Sequence, residues 1–224
     1  RSTLFPYTTL FRSALADSIA FMQSLLAEVI HAFSDSTKHF HIGGDEFGYD
    51  ENSNHEFITY ANKLADFLRE KGLKTRIWND GLIKNTVDQL NSDIEITYWS
   101  YDGDTEDEGE ANRRRHLRVS LPELVEKGFT VLNYNSYYLY INPKTSSTLS
   151  HDASFAKKDV LNHWDLSVWD GQNTENKVQD THKIAGAALS IWGEDVKALK
   201  SEAIQKNTKG LLEAVIQKTN SEIK

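Results

Sequence analysis

Short apolar runs alternate with amphipathic helical segments along this chain, and that alternation restricts its fold more than any other feature. From Ala14 to Phe33 apolar residues recur at three- and four-residue steps, the period of a helix with one buried face. KHFHIGG (38 to 44) follows as a short strand closed by two glycines. The stretch 56 to 70 is again helical and stops at Lys71-Gly72, a glycine where helix C-termini prefer one. TRIWND (75 to 80) and IEITYWSYD (94 to 102) read as strands, and SLPELVEKG (120 to 128) as a helix with Ser120 as N-cap and Pro122 in its first turn. FTVLNYNSYYLYI (129 to 141) is the next strand, 151 to 164 a helix, GAALSIWGED (186 to 195) a last strand, and 196 to 220 a closing helix. Strands separated by helices or long crossovers pair in parallel, so the fold class is α/β.

Each strand ends in polar or aromatic groups: Asp45 and Glu46, Trp78 and Asp80, Trp99, Tyr137 and Tyr138, Trp192 and Glu194. In a parallel barrel the C-terminal strand ends build the active site. A net charge of −8 argues against a nucleic-acid or anionic-membrane partner, which needs clustered cations. Arg113, Arg114 and Arg115 follow the acidic stretch 102 to 110, and together these read as a solvated loop running into a helix start. The chain has no cysteine, so disulfides and thiolate-bound zinc are excluded. No apolar stretch approaches the ~18 residues of a membrane span. Residues 1 to 13, RSTLFPYTTLFRS, resemble an in-frame translated sequencing adapter and are set apart from the fold; residues 14 to 224 are read as one domain or part of one.

The most specific motif is HIGGDE, residues 41 to 46. A two-carboxylate glycosidase places its acids roughly 5 to 9 Å apart across the scissile bond. Neighbours on an extended chain leave it on opposite sides, so either the backbone turns between Asp45 and Glu46 or the two do different jobs.

His41, Gly43, Gly44, Asp45 and Glu46, followed strand by strand to Trp192 and Glu194, resemble the β-N-acetylhexosaminidases of glycoside hydrolase family 20, most of all the cell-wall-anchored exo-β-N-acetylglucosaminidases of Gram-positive cocci. The resemblance implies the C-terminal part, about strands 4 to 8, of a (β/α)8 TIM barrel, and hence a fragment inactive by itself. It also implies removal of terminal β-linked N-acetylhexosamine, N-acetylglucosamine preferred, with retention. In such enzymes the substrate's own 2-acetamido group is the nucleophile, the exception to the two-carboxylate scheme. Glu46 is then the general acid and base, and Asp45 orients the acetamide and stabilises the oxazolinium ion. The neighbouring carboxylate disfavours proton loss from Glu46, which suits an acid. Trp78, Trp99 and Trp192 correspond to the family's N-acetyl pocket, Tyr138 to the donor to the acetamide oxygen, and Glu194 to the acceptor of sugar hydroxyls. The chain departs from the family at Tyr138-Leu139-Tyr140, where many members carry Tyr-Leu-Asp; this leaves the choice among hexosamines open and lets the tyrosine role slip to Tyr137. The expected partner is a glycan, with no cofactor and no metal, and the expected location is extracellular or wall-anchored.

Each of these residues also has a plainer reading. A single buried tryptophan is ordinarily core; three at successive strand ends favour a sugar site. His41 reads as a hydrogen-bonding residue inside the barrel, because the glycines between it and Asp45 break the helical spacing of a zinc site with His39. The acidic residues Asp102, Asp104, Glu106 and Glu108 lack the glycine of a calcium loop, with Asp107 at that place. Asp80 supports the site or makes a turn. Two other functions fit less of the pattern: a non-catalytic carbohydrate-binding module, which needs no tuned acid, and a barrel hydrolase that activates water and inverts the anomer.

Overall fold

A computed structural model describes residues 15–33, 37–46, 50–142, 146–169, 176–193 and 199–222. The segment set apart at 1 to 13 lies outside the described residues, and so does Glu194. The chain divides into two compact units, residues 1–96 with 117–119, and residues 97–116 with 120–224.

In the first unit helix α1 (Leu15–Ala32) leads to strand β1 (His39–His41), helix α2 (Glu51–Glu70), strand β2 (Lys74–Trp78) and the start of strand β3 (Glu95–Tyr98), with the strands in the order β1-β2-β3. β1 and β2 run parallel, with His39 opposite Lys74 and His41 opposite Arg76. Helix α2 begins five residues earlier than its apolar period suggests, because the Asp50 carboxylate accepts from the Ser53 amide at 2.9 Å and caps it. It ends as expected: Gly72 takes φ +75°, and the amides of Gly72 and Leu73 donate to the carbonyls of Arg69 and Leu68. One face of β1 and β2 points to the helices, where Phe40 and Ile42 pack on a core of Leu26, Tyr60, Leu64 and Leu68. On the other face lies a polar layer. There the buried Glu95 carboxylate accepts from Arg76 at 2.7 Å, with His39 at 3.5 Å and Lys74 at 3.7 Å.

In the second unit the end of β3 is followed by α3 (Glu108–Leu117), whose last residue falls in the first unit, and by α4 (Leu121–Glu126), β4 (Val131–Asn133), β5 (Tyr140–Ile141) and α5 (Ser146–His163). Strands β6 (Ile184–Ala187) and β7 (Ser190–Ile191) and helix α6 (Ser201–Glu222) complete it. The strand order is β3-β4-β6, and β5 forms a small second sheet with β7. Both β4/β6 and β5/β7 are parallel. The expected parallel α/β sheet is therefore present. Ser120 caps α4 with a complete capping box to Glu123, and Pro122 sits in its first turn.

Two single strands expected from sequence are each broken in two. Between β4 and β5 the Asn135 side chain accepts from the amides of Tyr137 and Tyr138 at 3.0 and 2.8 Å and donates to the Trp169 carbonyl. A side chain thus takes over bonds that a neighbouring strand would supply, and the ladder stops there. The acidic loop is exposed, as expected, at Asp104 and from Glu106 to Gly109, and departs from that reading at its start. Asp102 is buried, its carboxylate bonded to Arg115 and its carbonyl accepting from Arg114 at 2.9 Å, so the arginines of α3 neutralise the loop they follow.

Candidate active site

The first unit carries the HIGGDE motif on the segment leaving β1. Gly43 and Gly44 both adopt positive φ, +85° and +99°, the conformation that costs glycine least. Glu46 follows at φ +54°, a left-handed value that a residue with a Cβ adopts only against about 1–2 kcal/mol. The backbone thus turns between the two carboxylates, and both side chains are exposed. Strain at a candidate catalytic residue persists only where its surroundings hold it.

Those surroundings are specific. The Trp78 amide donates to the Gly43 carbonyl at 3.0 Å, and the Ile42 amide to the Arg76 carbonyl at 2.9 Å, which docks the turn on the end of β2. Trp78, half-buried, faces the His41 ring with centroids 4.9 Å apart. The Gly43 amide donates to His41 Nδ1 at 3.0 Å. Burial pulls the His41 imidazole down to about 4, against the Asp45 carboxylate, which raises it, and together with Arg76, which lowers it further. The ring is neutral at ordinary pH.

Under Gly44 lies the Phe57 ring of α2. A Cβ built there would meet two of its carbons at 3.2 and 3.3 Å, whereas one at Gly43 meets only an Asp45 oxygen, at 3.9 Å. Gly44→Ala is therefore expected to destabilise the protein by about 1–3 kcal/mol, and Gly43→Ala by less, since it carries the backbone cost without the clash. Urea unfolding of the two variants measures the difference. Equal losses would mean that the Phe57 contact is not felt.

Asp80, for which two roles were open, is fully buried with Arg118 at 3.4 Å, and Arg118 is equally buried. It is an internal ion-pair partner two residues beyond Trp78. Arg118 escaped the sequence reading because nothing local announces a partner 38 residues away.

In the second unit Trp99 follows β3, half-buried, and its carbonyl accepts from Ser136 at 3.0 Å. Tyr138 is buried, with its ring edge-on to Tyr137 at 4.8 Å. Burial, then the Asp159 carboxylate and Tyr137, push its hydroxyl above the usual phenol range, so it stays protonated. Tyr137, the fallback for the tyrosine role, is 63% exposed. Trp192 follows β7, is 41% exposed, and donates its amide to the Ile141 carbonyl at 3.0 Å. The tyrosine beside it is Tyr140, stacked at 6.3 Å with planes 25° apart. The structure thus groups His41, Asp45, Glu46 and Trp78 in one unit and Tyr140 with Trp192 in the other. Tyr140 was treated in the sequence only as a departure from a motif; its parallel pairing partner Ser190, two residues before Trp192, is the tertiary fact that brings it in.

Among the described residues no group of histidines, aspartates and glutamates is disposed to hold a metal ion. Nor is any described helix long and apolar enough to cross a membrane.

Residues 6–205 match the glycosyl hydrolase family 20 catalytic domain. The crystal structure of dispersin B superposes with a TM-score of 0.87 at 75% identity, covering 92% of this chain and 60% of that one. Lacto-N-biosidase of Bifidobacterium bifidum is 26% identical over 200 residues, 79% of this chain and 16% of that protein. The pneumococcal virulence factor StrH shares the fold at a TM-score of 0.64 and 22% identity, over 88% of this chain and 47% of that one. The chain thus spans three fifths or less of each of these relatives. With most of its length matched by the catalytic-domain description, and with the HIGGDE turn standing at the end of a parallel strand, the chain belongs to glycosyl hydrolase family 20.

Proposed function

We propose that this chain is part of the catalytic domain of an exo-acting β-N-acetylhexosaminidase that removes terminal β-linked N-acetylhexosamine, N-acetylglucosamine preferred, from glycans outside the cell or at its wall. The observation that carries this reading is the turn through Gly43, Gly44 and Glu46, which takes the two adjacent carboxylates out of the extended geometry that would send them to opposite sides, so that both can serve one site in different jobs. Glu46 protonates the leaving oxygen and later takes a proton from water. Asp45 holds the acetamide so that its oxygen attacks the anomeric carbon, and balances the oxazolinium charge that results. Trp78, Trp99 and Trp192 supply apolar walls for the acetamide methyl and keep water from the intermediate. Glu194 accepts sugar hydroxyls. Of the tyrosines, Tyr138 was the expected acetamide donor; the stacking of Tyr140 on Trp192 favours Tyr140 for that role.

The proposal includes that residues 14 to 224 alone are inactive. Supporting this, β1 and β6 each end their strand order, and large apolar side chains are exposed on α1 (Phe21, Leu25), just after it (Phe33) and on α6 (Leu212, Ile216). The test is hydrolysis of 4-nitrophenyl N-acetyl-β-glucosaminide by the complete parent enzyme and by residues 14 to 224, with proton NMR of the first-formed sugar. The parent is expected to release the β-anomer and to leave the corresponding glucoside almost untouched; the shorter chain is expected to do nothing. Release of the α-anomer would overturn substrate assistance, and full activity of the shorter chain would overturn its incompleteness.

A further inference from the structure

The glycine turn that carries both carboxylates is gripped through one peptide. The Gly43 carbonyl accepts from the Trp78 amide at 3.0 Å, and the Gly43 amide donates to His41 Nδ1 at 3.0 Å. The second contact has a chemical condition. A nitrogen that accepts from an amide carries no proton, so the His41 ring is neutral and its single proton is on Nε2. The imidazolium form would set an N–H against an N–H and open the turn.

We propose that His41 is a positioning residue for the reaction, whose unprotonated Nδ1 holds the Gly43 amide and thereby fixes the aim of Asp45 and Glu46. This rests on the glycosidase reading above. The coupling along the chain is short: Asp45 is two positions and Glu46 three positions beyond Gly43, and the left-handed φ of Glu46 needs an external hold. The surroundings suit a neutral ring. Trp78 covers it from β2, and the charged groups around it are Asp45 on its own segment, Arg76 opposite it in register, and beyond Arg76 the Glu95 carboxylate with Lys74 and His39. Arg76 is directed to Glu95, at 2.7 Å, which spends the nearest cation on another carboxylate. Burial, in turn, keeps the imidazole from charging until the pH falls to about 4.

The role is distinguishable from mere filling of space, because asparagine and glutamine put an acceptor at different ring positions. The Asn Oδ1 stands where Nδ1 stands in histidine, while the Gln amide reaches toward Nε2 and misses the Gly43 amide. In the complete enzyme, His41→Asn is expected to keep kcat within about threefold of the wild type. His41→Gln and His41→Phe are expected to lose kcat by roughly 10- to 100-fold with KM little changed, the size of effect expected when reacting groups lose their aim. Long-range proton–nitrogen NMR of the wild-type protein, labelled at histidine and assigned with the His41→Asn variant, is expected to show Nδ1 unprotonated and Nε2 protonated from pH 8 to pH 5. This readout does not depend on activity. It tests the hold on the turn even if the enzyme proves not to be a hexosaminidase, a failure that the wild-type assay alone reveals. A protonated Nδ1 overturns the inference, as does rescue by glutamine instead of asparagine. Equal activity of the asparagine and phenylalanine variants, high or low, overturns it too.

Discussion

Glu46→Gln in the complete enzyme is expected to slow hydrolysis of natural glycans by roughly 10²- to 10⁴-fold, the worth of a positioned general acid. A sugar alkoxide leaves badly without a proton, and glutamine has none to give. With 4-nitrophenyl N-acetyl-β-glucosaminide the first step is expected to lose much less, within about tenfold, because nitrophenolate departs unaided. On the proposed mechanism the same variant also lacks the base for the second step, so attack of water on the cyclised intermediate is expected to become limiting. Rapid-mixing measurements are therefore expected to show a burst of nitrophenol in the variant, followed by slow turnover. Equal loss in the first step on both substrates would remove Glu46 from the acid role.

Asp45→Asn is expected to act on a different quantity. A thiazoline that copies the cyclised intermediate binds far more tightly than the product sugar if the enzyme is built for the oxazolinium ion, since analogues of high-energy states gain 10²-fold or more over substrates. Asparagine keeps the size of Asp45 and removes its charge. The tight binding is expected to weaken by about 10²- to 10³-fold, with product affinity altered by less than about tenfold, because only the cationic species loses an opposite charge. Inhibition constants for the two ligands in wild type and variant measure this directly. An unchanged thiazoline constant would shift the search to a nucleophile supplied by the protein. Together the two substitutions separate the adjacent carboxylates by job: one changes dependence on the leaving group, the other affinity for a cation.

Much of the fold is legible in the chain because it rests on local chemistry. The stop of α2 at Gly72 and the start of α4 at Ser120 are written in residues whose backbone or side chain makes the cap itself. The apolar centres of β2 and β3 and their aromatic endings are visible for the same reason, and so is the HIGGDE signature with its demand for a turn. The asparagines at 133 and 135 inside an apolar run are a signal that the sequence reading passed over. Both are fully buried, and a buried amide must spend its bonds on something.

What the sequence alone left open depended on partners distant along the chain. Arg118 and Asp80 meet inside the protein across 38 positions, and Asp102 is neutralised by arginines of the helix that follows it. The sequence left the tyrosine role between Tyr138 and Tyr137, and it is the parallel pairing of β5 with β7 that sets Tyr140 beside Trp192. The sequence by itself determined which residues are candidates for the chemistry, since a carboxylate or an indole is a property of one residue. The direction of Glu46, the protonated nitrogen of His41 and the tyrosine beside Trp192 were decided by tertiary structure, because each is set by a hydrogen bond, a backbone angle or a strand pairing that no single stretch of chain contains.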